Sequence, residues 1–216
     1  MIDVLKIEKL SKNYGKKIII RNLDFIMKMG EITTIMGKSG AGKTTLLKMI
    51  AGIVKPDAGK IYIKEEIVEG PKISKDPYSR SIGFVFQNPA LWPHMTVEEN
   101  IKFTIKDKNH EEYQELINIL KIEEIQNNYP EEISGGEGKR VSIARAIISN
   151  PQLLIMDEPF TNLDYETRKE TAEMIKMIHE RKDLTILTVG HNYKDNIRIS
   201  KRIFKLEDGV LNEEKC

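Results

Sequence analysis

Gly37-Lys38-Ser39-Gly40-Ala41-Gly42-Lys43-Thr44 carries a glycine, four free residues, then Gly-Lys-Thr. That spacing lets successive backbone N–H groups turn inward on phosphate oxygens, with a helix N-terminus adding partial positive charge. Lys43 would offer an ammonium to the β and γ phosphates and Thr44 a hydroxyl to Mg²⁺. Far along the chain, Asp157-Glu158 supplies two adjacent carboxylates, one able to hold Mg²⁺ and the other to take a proton from an attacking water. Ser134-Gly135-Gly136 joins a hydroxyl to residues that leave amides exposed, which suits an anion and equally suits a plain helix cap with flexible glycines.

Each group needs an element to aim it. Ile32–Met36 reads as a buried strand and residues 45–51 as a helix, so the loop has the flanks its motif requires. Leu153-Leu154-Ile155-Met156 is an apolar run fit for a central parallel strand that delivers Asp157 and Glu158 at its carboxyl end. Residues 81–86 form another apolar strand ending at Gln87, and residues 184–189 a third, followed by His191. From position alone, Gln87 is as well read as an ordinary loop residue; a lone histidine is usually structural or exposed, but the place of His191 after a strand favours a phosphate contact. Tyr14, in an expected turn at Asn13-Tyr14-Gly15, is open to edge packing or to a ligand.

The remaining expectations are coarser. Short alternating bursts at residues 4–10, 17–20 and 23–27 read as strands, and residues 60–63 with Ile67-Val68 as a small antiparallel ribbon. Residues 88–150 turn helical, with a capping box at Thr96–Glu99 and Trp92, Met95, Tyr113, Leu116, Ile117 and Leu120 expected in its core. A helix over 165–182 and a closing hairpin at 203–211 complete the chain. The expected fold is α/β: a phosphate-loop NTPase core with a mixed sheet and an antiparallel β subdomain (1–87 and 151–216), and an inserted helical subdomain (88–150), in one domain.

Lys+Arg 34 against Asp+Glu 33 in 216 residues gives a net charge of +1, so no general nucleic-acid footprint is expected. No apolar run reaches membrane-spanning length, the start lacks a signal-peptide profile, and the single cysteine, Cys216, leaves no intrachain disulfide to form. A soluble, cytosolic chain is expected.

The order of these motifs resembles the ATP-binding subunits of ABC transporters along essentially the whole chain. Ile133-Ser134-Gly135-Gly136-Glu137 is similar to the family signature Leu-Ser-Gly-Gly-Gln. The resemblance implies ATP and Mg²⁺ as cofactors, with ATP held by Gly37, Lys38, Ser39, Gly40, Ala41, Gly42, Lys43, Thr44 and Thr45. It makes Tyr14 the aromatic that stacks on adenine, and Thr44, Gln87 and Asp157 the metal contacts. Glu158 becomes the base and His191 the γ-phosphate contact. Lys43 and Gln87 join them in catalysis, and Asp164, after Leu163, reports across a dimer. Ser134, Gly135, Gly136 and Glu137 would close on ATP bound to a second copy. The resemblance further implies permease subunits in the membrane, a peripheral place on the inner face of the cell membrane, and a solute-binding protein. Residues 91–100 are similar to importers of small solutes, including anions and polyamines. A non-transport ABC-type ATPase acting on nucleic acid, ribosomes or iron–sulfur assembly is the alternative. A small-molecule kinase or GTPase leaves Ser134-Gly135-Gly136 unexplained. Among departures from the family pattern, Thr161-Asn162 replaces the frequent Ser-Ala, and Gly190-His191-Asn192 the common Thr-His-Asp. Glu137 puts a carboxylate at the mouth of an anion site, from which slower or pH-sensitive turnover is expected.

Overall fold

The computed structural model describes residues 2–104 and 110–214. Cys216 lies outside the described residues, as do Met1, Lys215 and the part of the expected helical stretch at 105–109. Strands β1 (Asp3–Tyr14) and β2 (Lys17–Lys28) form an antiparallel pair. The two bursts expected at 17–20 and 23–27 are one strand. Polar Arg21-Asn22 interrupts the alternation, but Asn22 passes through φ 45° while its N–H donates to Ser11 Oγ, so pairing resumes beyond it. Tyr14 is the last residue of β1, paired with Lys17, instead of lying inside a turn.

β3 (Ile32–Met36) is buried at every position, and α1 (Lys43–Ile50) starts two residues before the expected helix. β4 (Ala58–Ile63), β5 (Glu66–Gly70) and β6 (Ile73–Ser74) follow. The ribbon expected at 60–68 is continuous with the first hairpin, because β4 pairs with β1, giving a five-stranded antiparallel sheet in the order β2-β1-β4-β5-β6. After β7 (Ile82–Val85) come α2 (Val97–Lys102), α3 (His110–Ile119) and α4 (Gly135–Ile147). β8 (Leu153–Asp157), α5 (Tyr165–Lys182), β9 (Ile186–Gly190), the short α6 (Tyr193–Asn196), β10 (Arg202–Glu207) and β11 (Val210–Glu214) complete the fold. The second sheet runs β11-β10-β3-β9-β8-β7, parallel from β10 to β7 with β11 antiparallel at its edge, the mixed sheet expected of this α/β class.

Parallel strands share one carboxyl edge. The segments leaving β3, β7, β8 and β9 therefore emerge side by side, and they carry the Gly37 loop, Gln87, Glu158 and His191. α1 lies between the two sheets, with Leu46, Leu47, Met49 and Ile50 fully buried. Eight residues are too few for a stable isolated helix, so burial holds it, each such side chain contributing about 1.5–3 kcal/mol. Its C-terminal carbonyls are also claimed: Arg80, itself buried, donates from Nη1 to Met49 O and Ile50 O, and its Nη2 pairs with Glu69 at 2.6 Å.

The helices of residues 88–150 pack in the same apolar core as one face of the parallel sheet and α5. Tyr113, Leu116, Ile117 and Leu120 are buried as expected. Trp92 and Met95 are not core residues: Trp92 is only partly buried and stacks on exposed Phe103, with the Arg145 guanidinium over its ring. Fully buried Asn100 instead organises that loop, donating to Trp92 O, Met95 O and Thr96 O and accepting from Trp92 N–H. The Thr96–Glu99 capping box forms.

Candidate functional site

Gly42 takes φ 102°, and a β-carbon there would come within 2.7 Å of Ile19 Cγ2, so only glycine lets the chain enter α1 this way. Lys43, 5% exposed, bends back across the loop and donates to Gly37 O at 2.8 Å and Lys38 O at 3.1 Å. Among the described residues no side chain caps the first turn of α1, whose N–H groups face the cleft beside Thr44 and Thr45. The cleft, of about 480 Å³, is lined by Ile19, Ser39, Gly40, Gly42, Lys43, Thr44, Thr45, Gln87, Glu158 and His191. Uncapped amides, a buried lysine and a glycine-shaped wall fit a polyphosphate.

Thr44 Oγ1 donates to Asp157 Oδ1 at 3.1 Å, which puts a hydroxyl and a carboxylate side by side. Hard oxygen donors of this kind fit Mg²⁺ that keeps phosphate and water ligands. Burial pushes the Asp157 carboxyl above its ordinary range, and neighbouring Glu158 acts in the same direction, while the Thr44 hydrogen bond, Lys48 and Lys43 oppose. A site built this way gains from a cation.

Glu158 is the convergence point. Its backbone is in the left-handed region (φ 48°), its N–H still reaches Val189 O at 3.1 Å, and its carboxylate turns into the cleft. Oε2 accepts from Gln87 Nε2 at 3.3 Å and Thr161 Oγ1 at 2.9 Å and lies 3.5 Å from His191 Nδ1, while Oε1 is 4.0 Å from Lys43 Nζ. Thus Lys43, Thr44, Gln87, Asp157, Glu158 and His191, dispersed in sequence, meet at one sheet edge.

Six expected residues stand elsewhere. Ser134 and Gly135 are exposed and do not line the cleft. Ser134 is the N-cap of α4 in a capping box with Glu137: Oε2 of Glu137 accepts from Ser134 N–H and Oγ–H, both at 2.7 Å. Those two hydrogen bonds hold the Glu137 carboxyl below its usual range, in the direction of keeping it ionised. Gly136 packs beside α5, where an added β-carbon would lie 3.1 Å from Thr167 Cγ2. Asp164 caps α5 by accepting from Thr167 N–H at 3.0 Å, outside the cleft. Tyr14 is 53% exposed at the end of β1, also outside the cleft lining, with Lys12 over its ring.

Three residues escaped the sequence reading. Ile19 gives no chemical signal. Thr161 keeps the hydroxyl usual at its position and lies three residues after Glu158, which would have identified it. Lys139 of α4, only 2% exposed, looks like any surface lysine in sequence; burial pushes its ammonium down to about 8, against the pull of Asp157 and Glu158.

Residues 20–161 match the family model described as ABC transporter. The Fe(3+) ions import ATP-binding protein FbpC of Fusobacterium nucleatum is 40% identical over 96% of this chain. The spermidine/putrescine import ATP-binding protein PotA of Bacillus cereus is 36% identical over 99% of it. The chain spans 56% and 66% of the lengths of these two relatives. Among solved structures, the dimeric, post-hydrolysis ATP-binding cassette MJ0796 bound to ADP and Pi superposes with a TM-score of 0.85 at 31% identity, covering 98% of each chain. The matched profile spans the Gly37 loop and the Asp157-Glu158 pair, the relatives align along almost all of this sequence, and the folds agree: the chain belongs to the ABC transporter family, as one of its ATP-binding domains.

Proposed function

We propose that this chain is the ATP-binding and ATP-hydrolysing subunit of an ABC transporter, driving import of a small solute through separate membrane subunits. The carrying observation is the meeting of Lys43, Gln87, Thr161 and His191 on Glu158, at the mouth of an uncapped helix N-terminus. The import names of FbpC and PotA support the direction.

In this reading the amides of α1 and the Lys43 ammonium bind the β and γ phosphates of ATP. Mg²⁺, held by Thr44, Asp157 and Gln87, would neutralise charge building on the phosphates. Glu158 accepts a proton from the attacking water, and His191 steadies the γ-phosphate. The bond from the γ-phosphorus to the bridging oxygen breaks, leaving ADP and phosphate. Tyr14 stacks on the adenine.

Ser134, Gly135 and Gly136 supply a second half-site to the ATP of another copy, since all three stand outside their own cleft, with Ser134 and Gly135 exposed. Asp164, beside that surface, reports across the pair. ATP closes two copies by satisfying amides on both, and losing the γ-phosphate reopens them. Among the described residues no helix is long and apolar enough to cross a membrane, so a permease would hold the chain at the inner face of the cell membrane, in the cytoplasm. A solute-binding protein would deliver the cargo.

Steady-state hydrolysis tests this. Lys43→Ala should abolish ATP turnover, and Glu158→Gln should lower kcat by about 10²–10⁴-fold with Mg·ATP still bound. Normal turnover in either variant would remove the assignment.

A further inference from the structure

Lys139 is a buried cation without a close carboxylate partner among the described residues. Its Nζ donates to two backbone carbonyls, Gln87 O at 2.7 Å and Phe86 O at 3.1 Å. A lysine desolvated this way is costly, and an apolar side chain of similar length would fill the space at no such cost. What the ammonium does that an apolar group cannot is grip the chain where it leaves β7. The next atoms along that chain are those of the Gln87 side chain, whose amide donates to Glu158 Oε2. At its other end Lys139 is anchored in α4, the helix that begins at Ser134.

We propose that Lys139 is a positioning residue for hydrolysis: its ammonium fixes the backbone at Phe86–Gln87, sets the reach of the Gln87 amide to Glu158, and ties that reach to the helix presenting Ser134. This rests on the ATPase reading above. Lys139 touches neither phosphate nor water: its hydrogen bonds reach the site through Phe86 and Gln87, alongside a through-space attraction to Asp157 and Glu158. When Gln87 shifts, α4 is pulled with it, and a displacement of Ser134 disturbs Gln87 in return.

A double-mutant cycle on kcat and KM tests the pathway, using the wild type, Lys139→Met, Gln87→Ala and the double variant. Lys139→Met is expected to lower kcat about tenfold while KM for ATP changes less than about threefold, because the phosphate cradle is untouched. Lys139→Arg, which keeps a charged donor, should recover most of the loss. In the Gln87→Ala background, Lys139→Met should add less than about a twofold further loss. Multiplying effects in the double variant, a raised KM at constant kcat, or full activity of Lys139→Met would each overturn the proposal. Should Lys139→Met fail to fold, Lys139→Gln enters the same cycle with the same criteria. A wild-type protein that hydrolyses no ATP would instead sink the ATPase reading, a distinct result from an additive cycle in an active enzyme.

Discussion

Replacing Glu137 by glutamine separates the two jobs of one carboxylate. Glu137 Oε2 takes both the N–H and the hydroxyl proton of Ser134, so it stabilises the start of α4 and withholds the hydroxyl that a phosphate would use. A hydrogen bond to a charged group contributes about 1.5–3 kcal/mol against about 0.5–1.5 for a neutral one. The glutamine carbonyl can accept both bonds but without charge assistance, and the site is partly solvated, so a net loss of about 1 kcal/mol is expected. For a chain of this size that lowers Tm by about 2–4 °C. Turnover should move the other way, rising severalfold, because one negative charge leaves the proposed anion site and the Ser134 hydroxyl is held less tightly. The sign with pH follows from the lowered folded-state pKa: the stabilisation is fully present above the unfolded carboxylate value and disappears as pH falls through the folded one. Thermal unfolding of wild type and variant should therefore differ by a constant amount from pH 6 to 8 and converge in acid. ATPase rates measured over the same range should keep a constant ratio. Unchanged rate and Tm, or a ratio that drifts between pH 6 and 8, would refute the reasoning.

Asp157→Asn should abolish Mg²⁺-dependent hydrolysis while leaving the nucleotide-free protein as stable or more so. The raised folded-state pKa means that ionised Asp157 weakens the fold above its ordinary pKa, so stability gained on acidification in the wild type should shrink in the variant; chemical denaturation from neutral pH down to the ordinary carboxylate range reads this. Arg80→Ala strips Met49 O, Ile50 O and Glu69 of their buried donor and should cost about 3–5 kcal/mol in urea unfolding. Adding Glu69→Ala should recover part of that loss, and independent effects would show that the pair does not act as a unit.

Much of the site was legible because its parts are local signals. The Gly37–Thr44 spacing, the apolar run before Asp157-Glu158 and the strand before His191 each name a strand end, and a parallel sheet brings strand ends together. Helix 165–182 has the bounds expected of it, and the structure shows what sets them: Asp164 caps its start and Asp183 ends it in the left-handed region. What escaped depends on contacts distant in sequence. Lys139 is 52 positions from the Gln87 carbonyl it grips, and nothing in its neighbours announces burial. Ile19 reaches the cleft only because β2 folds back over the loop. Trp92 looked like core by residue type, yet Arg145 and Phe103 hold it at the surface. The role of Glu137 changed once its carboxylate proved to be engaged with Ser134.

The central claim is that each ATP is enclosed by the loop of one copy and Ser134 of the other. The structure of Glu158→Gln with Mg·ATP measures it directly. The account predicts a two-fold dimer in which Ser134 Oγ and the Gly136 N–H of one copy lie about 2.7–3.1 Å from the γ-phosphate bound to the loop of its partner. A complex with nucleotide at Lys43 and Ser134 left in solvent, in a monomer or in any other dimer, would contradict it.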